Sequence, residues 1–376
     1  MRRRHIFIYK LLRPLVIAFV KLRFDYRYEK AKDLPEQFIV LSNHTTDYDP
    51  LLVACSFQEH MYFMGSEHIA RWGFLSQLIR WLLDPVMRCK GASGVTAVKE
   101  MLRRIRGGNN LCFFPEGVRS WDGVSTPVTA ATAKLAKTAG CSLVTYKITG
   151  GYFASPMWGG AKVRRGPVCG GVVHIYTAEE LKAMTAQQLC DAINRDIYED
   201  AYARQKEESK PYRSKLGAAR LENLLFICPE CGAYDSYATV GDQVVCACGN
   251  RIGYNELGML ENCRFDTVKA LLDWEKECLR RDVVDSKVYI AAHGCLCTVK
   301  NHETVAVTAG EVTMSENALR CGSFCAPMYQ ITELAMHGQR HIVFTADGRY
   351  YDLAISEGAN ALKFWLYYLE LKERKA

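Results

Sequence analysis

From Phe38 to about Tyr176 the chain alternates between two hydrophobic periods, and this limits its fold more than any other feature. Apolar runs of strand length recur near 38–42, 62–65, 85–88, 110–114 and 142–149. Between them, 50–57, 70–83, 95–106 and 129–139 carry apolar residues at helical spacing. Strands separated by helices need crossover connections, so the pattern predicts an α/β fold: a mixed, mostly parallel sheet covered by helices. Gly107 and Gly108 stop the third helix. The pairs Gly150-Gly151, Gly159-Gly160 and Gly170-Gly171 are expected to punctuate further short strands. Thr177-x-x-Glu180 and Thr185-x-x-Gln188 read as capping boxes, the second helix running to about Gln205. The charged stretch 207–215, with Pro211, reads as a linker, giving a domain over 31–215.

Two strand ends carry chemistry. After Phe38–Leu41 comes Asn43-His44-Thr45-Thr46-Asp47-Tyr48-Asp49-Pro50. Asp49 followed by Pro50 is a helix-start signal, because the carboxylate accepts from free N–H groups and proline suits the first helical turn. A turn between His44 and Asp49 would bring carboxylate and imidazole together. Such a pair fixes one tautomer and supports the imidazolium formed when the ring takes a proton. The second end, after Leu111–Phe114, is Pro115-Glu116-Gly117-Val118-Arg119-Ser120. Arg119 offers a planar donor fork suited to phosphate, and Gly117 lets backbone approach a ligand.

Together, His-x4-Asp and Phe-Pro-Glu-Gly-Val-Arg-Ser resemble the glycerolipid acyltransferase family, in particular 1-acylglycerol-3-phosphate acyltransferases, over roughly residues 1–210. Val118 stands where the family usually has Thr, and the proline-bearing fourth block is here Leu143-Val144-Thr145-Tyr146-Lys147. The resemblance implies His44 and Asp49 as catalytic residues. It implies Glu116, Gly117, Arg119 and Ser120, with Lys90 or Arg88, as the acceptor-binding set. It also implies a membrane-associated O-acyltransferase that moves a fatty acyl group from acyl-CoA or acyl carrier protein to 1-acyl-sn-glycerol 3-phosphate, giving phosphatidic acid. No catalytic cofactor is expected. The alternatives are another acceptor (glycerol 3-phosphate, another lysophospholipid or an aminolipid) and a non-catalytic zinc-ribbon scaffold.

The net charge of +7 is concentrated at one end: residues 1–30 carry nine cations against Asp25 and Glu29, and the remainder is neutral. That argues against a nucleic-acid groove and for one basic segment facing an anionic surface. The longest charge-free stretch in 5–24 is Pro14–Val20, too short to span a bilayer. Lys10, Arg13 and Lys21 fall within one helical quadrant, so 1–30 reads as an interfacial helix on the cytoplasmic face of the cell membrane. No secretory signal is apparent, which suits a reducing compartment for most of the 16 cysteines.

Four of those cysteines have ligand spacing. Cys228-x2-Cys231 and Cys246-x-Cys248, each knuckle followed by glycine, resemble a zinc ribbon over 222–256 with a structural metal. A helix is expected near 266–281. Residues 285–376 then read as short strands, from Val288–Ala292 onward, with an Asp347-Gly348 hairpin turn and an amphipathic helix over 357–372. That layout resembles a pleckstrin-homology-like module. Three further expectations concern packing. Asp47 is read as a turn residue, Arg103, Arg104 and Arg106 as a solvated helix face, and Phe74, Leu78 and Trp81 as core.

Overall fold

The computed structural model describes all residues except 1, 68, 70–72, 89–93, 161, 285–288, 301–302 and 376. Two compact units emerge. One is built from Met1–Arg88, Gly94–Met157 and Ala161–Ser214; the other consists chiefly of Lys215–Ala376 with Trp158–Gly160.

The first unit begins with α1 (Arg2–Arg23) and β1 (Asp25–Tyr28), then β2 (Phe38–Ser42), α2 (Asp49–Ser56) and β3 (Met61–Ser66). Next come α3 (Phe74–Leu83), β4 (Val86–Arg88), α4 (Val95–Arg106), β5 (Asn110–Phe113), α5 (Ala130–Ala139) and β6 (Ser142–Thr149). A short α6 (Gly151–Ala154), β7 (Pro167–Tyr176), α7 (Ala178–Ala183), α8 (Ala186–Ile197) and α9 (Ala201–Glu208) complete it. The sheet order is β1-β7-β6-β2-β5-β3-β4, with only β6 and β7 antiparallel. The expected mixed, mostly parallel sheet is therefore present. Strand β2 is central and buried along its whole length, as its unbroken apolar run requires. Its side chains Ile39 and Leu41 join Leu111, Phe113 and Leu143 in a core closed by Met101 and Ile105 of α4 and by Leu189 and Ile193 of α8. Both capping boxes form.

Several expectations are corrected. Gly170-Gly171 does not interrupt a strand but lies within the ten-residue β7, and a side chain at Gly170 would meet the hydroxyls of Tyr26 and Tyr146. Strand β1 has no counterpart in the sequence reading; it adds a parallel edge beside β7. Arg104 is buried rather than solvated: it pairs with Asp84 at 3.0 Å and Glu100 at 2.7 Å, and stacks over Tyr62. Phe74, Leu78 and Trp81 are not core but 79%, 38% and 52% exposed. On α1, Arg13 points inward and donates to the carbonyls of Ala54, Cys55 and Phe57, satisfying the C-terminal end of α2. The outward face is instead Phe7, Leu11, Leu15, Phe19 and Leu22. Among the described residues no helix is long and apolar enough to cross a membrane.

The second unit holds β8 (Tyr237–Val240), β9 (Gln243–Cys246), β10 (Arg251–Tyr254) and β11 (Leu260–Glu261) in one antiparallel sheet, followed by α10 (Val268–Val284). A second antiparallel sheet comprises β12 (Tyr289–Lys300), β13 (Glu303–Met314), β14 (Ala318–Cys321), β15 (Phe324–Pro327), β16 (Ile331–His337), β17 (His341–Ala346) and β18 (Arg349–Ile355). Its order is β15-β14-β13-β12-β18-β17-β16, so the first and last strands pair and the two meanders face outward from that seam. Asp347-Gly348 makes the turn between β17 and β18, both with positive φ, and α11 (Leu362–Lys375) follows. The expected β-rich module with a C-terminal helix is thus present. Val288, where the sequence reading began its first strand, lies outside the described residues.

Candidate active site

Strand β2 ends between β5 and β6, with Leu41 beside Phe113 and Ser42 beside Tyr146. Its carboxyl end is therefore a place where parallel α/β sheets bind ligands. Asn43 anchors the exit: its side chain donates to the Ile148 carbonyl at 2.7 Å and accepts from the Ile148 N–H at 2.8 Å. The chain then turns through Thr45 and Thr46 into α2. A side chain at Gly151 would clash with Thr45 Oγ1, so the glycine permits the close approach of α6 to this turn.

Asp49 is fully buried at the start of α2. Its Oδ2 accepts from the N–H groups of Thr45 at 2.6 Å and Thr46 at 3.0 Å, and from His44 Nδ1 at 2.9 Å. Its Oδ1 accepts from the hydroxyl of Thr46 at 2.7 Å. Tyr48 is the N-cap residue, and no side chain caps α2. Instead of capping the helix as the Asp49-Pro50 signal suggests, the carboxylate reaches back to the turn before it, tying down Thr45 and Thr46 and orienting the imidazole. With Nδ1–H donated to Asp49, the tautomer leaves the Nε2 lone pair to act as base. The ring stacks on Phe114 at a centroid distance of 4.5 Å and keeps 21% of its side-chain surface open. Phe114, Thr45 and Thr46 contact the His44–Asp49 pair, and motif reading did not single them out. The threonines stand inside the motif, whereas the stacking of Phe114 follows only from the β2–β5 pairing.

The second loop is strapped to the first. Ser120 N–H donates to the His44 carbonyl at 3.1 Å. Glu116 Oε1 accepts the His44 N–H and Oε2 accepts the Thr126 N–H, each at 2.8 Å. Burial pushes the Glu116 carboxyl up to about 7 despite those two donors. The Ser120 hydroxyl is likewise committed, accepting from Gly123 N–H at 2.8 Å and facing Asp122. Gly117 adopts a φ of 76°, and a side chain there would sit 3.6 Å from Arg88 Nη1, so Arg88 reaches this loop from the end of β4. Lys90 lies outside the described residues.

Arg119 is 10% exposed and donates from Nη2 to Asp47 at 3.1 Å; its Nη1 is buried with no hydrogen-bond partner. Asp47 is thus an ion-pair partner rather than a bare turn residue. A buried guanidinium donor left open carries a desolvation cost that an anionic ligand would relieve. The structure therefore brings His44, Asp49, Glu116, Gly117, Arg119, Ser120 and Arg88 into one neighbourhood.

Fold and site together define an α/β domain with a histidine paired to a buried aspartate at the carboxyl end of its central strand. A family model described as Acyltransferase matches residues 25–149, which run from β1 to the end of β6 and include all seven of these residues. The matched segment is about a third of the chain. Among solved structures, the chain is similar to the 1-acyl-sn-glycerophosphate (LPA) acyltransferase PlsC from Thermotoga maritima, with 20% identity and a TM-score of 0.44. The match covers 53% of this chain and 80% of that one. No curated protein matches the chain.

The second unit brings Cys228, Cys231, Cys246 and Cys248 together, all four sulfurs lying within 4.8 Å of one another. The Cys228–Cys248 and Cys231–Cys246 separations are 3.8 and 3.7 Å. Tetrahedral zinc with Zn–S bonds of ~2.3 Å sets its sulfurs about 3.8 Å apart, so this donor set fits that metal. Gly232 and Gly249 take positive φ after the two knuckles. Tyr237 and Ser236 hydroxyls lie 3.4 and 3.1 Å from Cys228 and Cys246 sulfurs, positions from which they would stabilise thiolates. Glu275 of α10, fully buried, accepts from Phe226 and Ile227 N–H groups and holds the segment leading to Cys228.

Proposed function

We propose that this protein is a membrane-associated O-acyltransferase that esterifies the free hydroxyl of a 1-acyl-sn-glycerol 3-phosphate-like acceptor, using an acyl thioester on coenzyme A or acyl carrier protein. The observation that carries the reading is the pairing of an oriented base with an open phosphate donor: His44 held by Asp49 at 2.9 Å, and Arg119 with an unpartnered buried Nη1 on the adjoining loop.

In this mechanism His44 Nε2 takes the acceptor hydroxyl proton as the oxygen attacks the thioester carbonyl. The tetrahedral intermediate collapses, the C–S bond breaks, and the proton passes from His44 to the departing thiolate. Asp49 supports the transient imidazolium without taking the proton. Arg119, with Arg88 beside it, binds the acceptor phosphate and so positions the attacking hydroxyl, a contribution that can supply several kcal/mol of the barrier. Glu116 and Ser120 shape the loop rather than touch substrate, since their polar atoms are already engaged. The product is a phosphatidic acid.

The four cysteines hold a structural zinc: four protein ligands close the coordination sphere and leave no position for water. The exposed apolar stripe of α1 and the basic N-terminal segment support peripheral attachment to an anionic leaflet on the cytoplasmic side. The seven-stranded module and its helix suit a pleckstrin-homology-like role.

The experiment is a lipid-product assay. Purified protein receives one acyl-CoA or acyl carrier protein thioester and a mixture of acceptors, and products are read by mass spectrometry. Acylated lysophosphatidate is the expected dominant product, abolished by His44→Ala with zinc content and folding intact. Product formation by the His44→Ala protein at most of the normal rate would reject the scheme.

A further inference from the structure

A cleft of about 720 Å³ opens at the β1–β7 edge of the first unit. Cations converge on it from separate elements: Arg27 of β1, Arg165 ahead of β7, Arg204 of α9, and Lys210 and Arg213 beyond α9. Asp25 and Glu208 share the lining and pair with Arg27 at 3.5 Å and Arg204 at 2.9 Å. Arg204 is also held by buried Glu199 at 2.7 Å, so the net positive charge of the cleft rests chiefly on Arg165, Lys210 and Arg213. Arg165 and Arg213 are bridged through their main chains, each N–H reaching the other's carbonyl at 2.9 and 2.8 Å. An antiparallel bridge of this kind sets its two side chains on one face, with Cβ atoms ~5 Å apart. Like charges so placed repel, and an anion between them removes that cost. Arg204 adds a buried Nη2 with no hydrogen-bond partner. The acyl-transfer site uses none of these residues.

Position indicates which anion. Thr149, on the cleft wall, follows Ile148, the residue clamped by Asn43 next to His44. With β7 beside β6 and β6 beside β2, the cleft lies about two strand spacings, ~10 Å, from the end of β2. Its volume falls in the range of small-molecule sites, roughly 300–1,000 Å³. We propose that this cleft holds the phosphorylated nucleotide of a coenzyme A thioester, whose pantetheine arm runs across the strand ends to His44. A concave basic cavity suits a bisphosphorylated nucleoside better than the convex acidic face of a carrier protein. The proposal deepens the acyl-transfer reading and rests on it for the identity of the ligand; occupancy of the cleft is measured without turnover.

Cys169 is exposed on the cleft wall and serves as the reporter. Full-length protein is alkylated with and without adenosine 3′,5′-bisphosphate, and modification at Cys169 is read by peptide mass spectrometry. At a probe concentration ten times its dissociation constant, labelling slows about tenfold. The Arg165→Ala/Arg213→Ala double variant loses this protection, and kcat/KM for acyl-CoA drops about 10–100-fold while the acceptor KM holds. The Arg165–Arg213 bridge is main chain and persists in both variants, whose folding is checked by circular dichroism; Arg213→Glu is the second variant and abolishes protection. Unprotected Cys169, or protection that survives both variants, overturns the proposal. Protection without any acyl transfer leaves the nucleotide site standing and removes the acyltransferase reading. If the probe does not bind and the double variant affects only carrier-protein thioesters, the face docks a carrier and the nucleotide site is wrong.

Discussion

Glu116 Oε1 accepts the backbone N–H of His44 at 2.8 Å, so this carboxyl braces the turn that carries His44. Its other oxygen ties the same loop to Thr126. Both oxygens face donors, which a glutamine cannot satisfy: one side of its amide would set N–H against N–H. Glu116→Gln is therefore expected to destabilise the protein by about 1–3 kcal/mol. Its activity should fall through kcat, because His44 is displaced, with the acceptor KM little changed. A rise in acceptor KM alone would return Glu116 to substrate binding.

The same residue sets a pH dependence. Its carboxyl sits at about 7 in the folded protein against an ordinary 4.5, with burial as the main cause. The folded state then holds this proton more tightly than the unfolded chain does. That contribution is complete below about 4.5 and is lost as pH rises to about 7. The stability gap between the native protein and Glu116→Gln should narrow across this window in urea titrations at several pH values. A gap that widens with pH would contradict the assignment.

Arg119 tests the phosphate clamp. Arg119→Ala should raise the KM for a phosphate-bearing acceptor about 10–100-fold and leave an uncharged acceptor nearly unaffected. Arg119→Lys should recover only part of this. The guanidinium reaches Asp47 with one nitrogen and offers another to a ligand, and a single ammonium cannot do both in that geometry. Equal losses with both acceptors would point to loop collapse instead.

Much of the first unit was legible because its strands are buried on both faces and carry unbroken apolar runs; β2 spans Phe38–Ser42, matching the expected 38–42. The local pair His44–Asp49 was legible for a related reason: the ends of the turn between them are set by a strand exit and a helix start. What depends on distant pairing was not. Asp25–Tyr28 gains its strand only from β7, far along the chain. Arg104 resembles its neighbours Arg103 and Arg106 until Asp84 and Tyr62 are brought to it. That Glu116 also braces the His44 turn shows only once the two loops are brought together, since its bond to the His44 N–H spans 72 residues. The i, i+4, i+7 spacing on α3 marks an apolar face, and such spacing reports a face without saying whether protein covers it.

The cysteine cluster predicts a metal stoichiometry of one zinc per chain by elemental analysis. Metal binding at a tetrathiolate is coupled to folding, so a chelator strong enough to strip it should lower the thermal midpoint, and Cys248→Ser should do the same. Because the ligands close the site, stripping should act on stability before it acts on chemistry. A chain that purifies without zinc and melts identically with and without chelator would end the ribbon reading.

The exposed faces of α1 and α3 argue for a shared lipid-binding surface. Phe7, Leu11, Leu15, Phe19 and Leu22 recur at helical spacing and stand 44–89% exposed, and Phe74, Leu75, Leu78, Trp81 and Leu83 stand 38–79% exposed. The two helices adjoin, since Arg4 stacks over Trp81 and donates to its carbonyl. Apolar patches of this extent on a soluble surface mark an interaction site. Basic residues at the start of α1 would add attraction to anionic lipid, about 1 kcal/mol each near the surface. Vesicles of phosphatidylcholine with and without anionic lipid provide the measurement. Binding should strengthen with anionic lipid and weaken with salt, and Phe74→Ser/Trp81→Ser should reduce it as far as Leu11→Ser/Leu15→Ser does. If the α1 variant alone loses binding, α3 is not part of the surface; if neither variant changes vesicle binding, the apolar faces serve some other contact.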